Sequence, residues 1–97
     1  MAITEVERRT HDEDARELVA LSDAAAVADR AVGEAARSGR VTAEHIRASL
    51  GAHQVHDDAA EVFRRAYYPR SSRVYAVFGE VLVVSRLGRR TRMVWSR

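Results

Sequence analysis

Residues 42–69 read TAEHIRASLGAHQVHDDAAEVFRRAYYP, and how this stretch divides decides the fold. Thr42 is a good N-cap for a short helix over residues 43–50, with Ile46 and Leu50 facing inward. Gly51 then ends that helix, because glycine takes up the backbone turn that stops a helix at little steric cost. Residues 51–56 read as a loop. Asp57 or Asp58 starts a further helix, and Glu61, three residues after Asp58, completes a capping box. Ala59, Val62, Phe63, Ala66 and Tyr67 share the buried face of that helix, while Arg64, Arg65 and Tyr68 point elsewhere. Pro69 terminates it.

Upstream, a helical period begins near Asp12, where Ala15, Leu18, Val19 and Leu21 form a first apolar face. Ser22-Asp23 caps a new helix or lies within a continuing one. Ala24, Val27, Ala28, Ala31, Val32, Ala35 and Ala36 keep the three-four spacing up to a stop at Gly39. This alanine-rich face serves as core or as a homodimer seam. Residues 1–11 have no clear period and read as a flexible arm. Downstream, residues 74–78, 81–84 and 91–95 are rich in β-formers, with Gly79 between the first two and a Gly88-centred turn between the last two. The order is three helices and then a small antiparallel sheet, in one domain spanning residues 12–97.

Charge is divided along the chain. Residues 1–61 carry 13 acidic and 7 basic side chains, whereas residues 62–97 carry 1 acidic and 9 basic ones. The overall net charge of +2 conceals this polarity, which aims the C-terminal third at something anionic. Every basic residue other than histidine is arginine, whose planar fork suits bidentate phosphate and guanine contacts. The absence of cysteine excludes disulfides and any thiolate metal site or nucleophile. No apolar run approaches the roughly 20 residues that span a bilayer. Residues 1–17 hold no signal-peptide core. A soluble, cytoplasmic protein without a membrane contact is expected.

A long helix, a short helix, a loop, another helix and a hairpin describe an α+β fold of the three-helix winged helix-turn-helix type, the C-terminal hairpin or three-stranded sheet being the wing. Such a wing lays its turn along the phosphate backbone, and Arg86, Arg89, Arg90 and Arg92 cluster there. Arg64 and Arg65 lie on the outer face of the recognition helix, placed for base edges.

Residues 37–47, RSGRVTAEHIR, carry a helix ending near a glycine, a Thr-Ala cap and an Ile-Arg on the next helix. With residues 62–66, VFRRA, and the series Gly79, Ser85-Arg86, Val94-Trp95, this run resembles a winged-helix module of small actinobacterial and actinophage proteins. The resemblance spans about residues 24–95. It implies a small DNA-binding transcriptional regulator or phage accessory factor, with double-stranded DNA as partner and no cofactor.

Two other functions compete. The chain also reads as a small ribonuclease toxin, in which N-terminal helices carry a basic antiparallel sheet. All four histidines precede the sheet, so the general base is unassigned. Alternatively it is a winged-helix interaction module that binds a host protein, because Asp57 and Asp58 at the head of a recognition helix repel phosphate. His45, His53 and His56 lack the spacing that gathers three metal ligands on one element, and no catalytic motif is present.

Overall fold

A computed structural model describes residues 5–87 and 90–97 of the chain, residues 5–8 by their backbone alone. Two helices, α1 (Glu5–Arg37) and α2 (Ala43–Tyr67), precede three strands, β1 (Ser71–Val77), β2 (Glu80–Ser85) and β3 (Thr91–Ser96). The helices form an antiparallel hairpin. The strands form an antiparallel sheet in the order β1-β2-β3 that lies across part of one side of that hairpin. The molecule measures 55 × 30 × 18 Å. Its length is that of α1, about 50 Å for a helix of this size.

The three-helix winged helix-turn-helix expected above is therefore not the fold: two long helices are followed by a three-stranded antiparallel sheet. The error lies at residues 51–58. Gly39 takes a positive φ of 68° and ends α1 in a Schellman turn, with Arg40 N–H donating to Ala35 C=O at 2.7 Å. Gly51 keeps helical geometry instead and stays inside α2. A glycine there costs about 1 kcal/mol relative to alanine, and packing along the helix pair outweighs it. Half-buried His45, Ser49, Ala52 and Ala59 on α2 match half-buried Leu21, Ala28, Val32 and Ala35 on α1. Asp57 and Asp58 cap nothing: Asp57 pairs with Nδ1 of His56 at 3.0 Å, and Asp58 accepts a hydrogen bond from Gln54 one turn back at 2.7 Å. Ser22-Asp23 likewise lies within α1.

Thr42 does cap α2. Its hydroxyl accepts the His45 N–H at 3.2 Å, and Nδ1 of His45 accepts the Thr42 N–H at 3.1 Å. At the other end α2 stops at Tyr67, two residues before Pro69.

The core is one cluster between the sheet and the near half of the hairpin. Ala15, Leu18 and Val19 from α1 and Ala60 and Phe63 from α2 meet Val74, Ala76, Val81 and Val83. Leu18 and Val81 are fully buried, and burial of a side chain of that kind contributes about 1.5–3 kcal/mol. Trp95 packs against the edge of this cluster, half-buried. Beyond it the hairpin runs on alone: no residue between positions 26 and 55 is buried.

Candidate nucleic-acid interface

The site lies where α2 hands over to β1, beneath the start of β3. Tyr68 closes α2, its N–H donating to Arg64 C=O at 2.7 Å, and Pro69 and Arg70 turn the chain into β1. Arg64 fastens this turn. Its guanidinium reaches both oxygens of Glu61, at 2.9 and 2.8 Å, and donates to the carbonyls of Pro69 and Ser71, both at 3.0 Å.

Two register shifts shape the sheet, one at this end and one near the other. In β1 the shift between Ser71 and Arg73 turns Ser71 inward opposite Ser85, where it is buried. In β3 the shift falls opposite Val81 and Leu82. Trp95 pairs with Val81, Met93 with Leu82 and Arg92 with Val83. Strict alternation from Trp95 would place Met93 on the helix side and Arg92 on the far side. The extra residue reverses this, so Arg92 shares the face of buried Val83 and lies next to the helix end.

The outcome is a cleft of about 710 Å³ between the C-terminus of α2 and the start of β3. Tyr67, Tyr68, Pro69 and Val83 supply its wall, and Arg70, Arg90 and Arg92 its basic rim. Both phenols are anchored to α1. Tyr67 donates to Asp14, and Tyr68 shares a 2.8 Å hydrogen bond with Nε2 of His11. The half-buried His11 ring in turn sits among Phe63, Tyr67 and Tyr68, with ring centres 5.0–5.8 Å away. Burial, then the bond to Asp14, pushes the Tyr67 phenol up to about 12. Burial also raises that of Tyr68, against the pull of the neighbouring Arg92 charge.

The expected site arginines separate into two groups. Arg64 is largely covered, with 14% of its side chain exposed, and acts as a structural tie. Arg65 is exposed and bonds to Glu61 at 3.0 Å. Arg86, Arg90 and Arg92 are exposed and form no ion pair with a carboxylate among the described residues. Arg90 and Arg92 line the main cleft, and Arg86 lines a second one with Arg70. Arg89 and the Gly88 of the expected turn lie outside the described residues. Arg70 was missed by the sequence reading, although it borders both clefts. Its place directly after the helix-ending Pro69 was the available signal.

The histidines are dispersed. His53 bonds to Asp29 at 2.9 Å, His56 lies inside the protein, and His45 caps α2. Among the described residues no three His, Asp or Glu side chains are grouped to hold a metal ion. Among the same residues no helix is long and apolar enough to cross a membrane. No family model, curated protein or solved structure matches the chain.

Proposed function

We propose that the protein binds nucleic acid through phosphate contacts from Arg70, Arg86, Arg90 and Arg92. One observation carries this reading. These four guanidinium groups are gathered around two adjoining clefts at one end of the sheet, exposed and without a carboxylate partner among the described residues. Unneutralised cations release condensed counterions when they meet phosphate, and Arg92 on β3 with Arg70, Arg86 and Arg90 in the adjoining turns offers four of them. Base-edge reading of duplex DNA by Arg64 and Arg65 has lost its separate recognition helix, since both residues sit in the last turns of α2 and bond to Glu61.

The test is fluorescence anisotropy of labelled oligonucleotides across a salt series. Four phosphate contacts give a log-log slope of about −3.6 on duplex DNA and about −2.8 on single strands. Substituting Arg90 or Arg92 with glutamine reduces that slope by roughly one contact. Absence of binding at low salt to every oligonucleotide removes the reading.

A second reading, RNA cleavage, is favoured by the hydrogen bond between His11 and Tyr68 beside Arg92. It places an imidazole and a phenol beside an arginine able to stabilise a phosphorane-like charge. Incubation with end-labelled RNA separates the two readings, since binding alone leaves the strand intact.

A further inference from the structure

We infer that the cleft between Tyr68 and β3 takes one unpaired nucleotide, with its base on the tyrosine wall and its phosphate on Arg90 and Arg92, so that the protein prefers single strands to duplex. This rests on the nucleic-acid reading above and names the form of nucleic acid.

The shape of the site is the first argument. A duplex offers phosphates on a convex ridge and keeps its base faces stacked inside, so an exposed row of arginines suffices to hold it. Here three arginines rim an open cleft of about 710 Å³, within the size range of small-molecule sites. A phosphate group alone leaves most of that space empty.

The wall is the second argument. A site for an anion alone needs donors on every side, but this one is predominantly apolar below its basic rim. A flat apolar body joined to an anion fits both parts, and a nucleobase on its sugar-phosphate has that composition. Stacking on aromatic side chains beside a basic groove is how single strands are held without sequence preference.

The third argument is preorganisation. Tyr67 is tied to Asp14 and Tyr68 to His11, so the wall is set before anything binds. The bulge in β3 that turns Arg92 toward the helices brings its charge to the same wall. An arginine devoted to a duplex backbone would work equally well on the open face of the sheet.

The experiment measures anisotropy for one sequence as single strand and as duplex at the same salt concentration, with Arg92→Gln and Tyr68→Leu variants. Adenosine monophosphate and inorganic phosphate serve as competitors. The wild type is expected to bind the single strand about tenfold more tightly than the duplex, within the range of one stacked base. Both variants remove most of that preference. Adenosine monophosphate displaces the strand at concentrations where phosphate does not. Should Tyr68→Leu fail to fold, Arg92→Gln and the competition still decide the matter. Equal or tighter duplex binding, or equal competition by phosphate, overturns the inference and leaves the nucleic-acid reading standing. No binding to either form overturns both.

Discussion

Nε2 of His56 accepts the backbone N–H of Ala76 at 3.0 Å, inside the protein, and so joins the middle of α2 to the edge strand β1. An edge strand presents N–H groups with no neighbouring strand to receive them, and a buried one left unpaired is destabilising. His56→Leu keeps the bulk and removes the acceptor, and is expected to cost about 1–3 kcal/mol in urea unfolding. His56→Gln, which can offer an amide oxygen at a similar reach, is expected to cost less.

Glu61 is the hub of the α2 terminus. The Arg64 guanidinium above all, with Arg65, holds its carboxyl down at about 2 instead of 4.5. A depressed carboxyl stabilises the fold at pH values above 4.5 and loses that contribution as pH falls toward 2. Glu61→Gln is therefore expected to lower Tm at neutral pH, and the gap from the wild type closes as the solution is acidified through that interval. A Tm difference independent of pH contradicts the assignment.

Tyr67 gives the opposite dependence. Its phenol stays protonated up to about 12 in the folded protein, against 10.0 for a free tyrosine. The unfolded chain thus releases this proton first, and stability falls as pH rises from 10 to 12. Tyr67→Phe removes this part of the alkaline loss, which thermal melts between those pH values will read.

The turn between β1 and β2 holds a Phe78-Gly79 pair with positive φ at both residues, 50° and 78°. Two such residues match the twist of a two-residue hairpin, but phenylalanine is strained there. Phe78 is 94% exposed, so no packing offsets the strain. Phe78→Asn is expected to stabilise the protein by about 1 kcal/mol, since asparagine tolerates this region. Gly79→Ala is expected to destabilise it, because its new Cβ also comes within 3.1 Å of the Arg97 side chain.

Helix ends written in local chemistry were legible: Thr42 has its hydroxyl, Gly39 its free backbone, and Pro69 its missing N–H. The three strands were legible from their β-branched and aromatic content. Gly51 and Asp57-Asp58 were not, because whether a glycine or a pair of aspartates breaks a helix depends on what packs beside it. Here α1 runs alongside and keeps α2 continuous through both. The site was half legible. Arginine density marked the end of the sheet where the cleft opens, but which face Arg92 takes depends on a register shift against β2, and such shifts are set between strands. The engagement of Arg64 with Glu61 was visible only as a three-residue spacing, which an exposed helix surface shares.

The stretch of helical hairpin that outruns the sheet ends in residues 38–41, all exposed, with the cap of α2 beginning only at Thr42. Chain added between Arg40 and Val41 leaves the Schellman turn on one side and the capping box on the other undisturbed. A fluorophore-bearing loop or an affinity tag spliced there stands at the pole opposite the cleft, and will report on what the protein engages without competing for it.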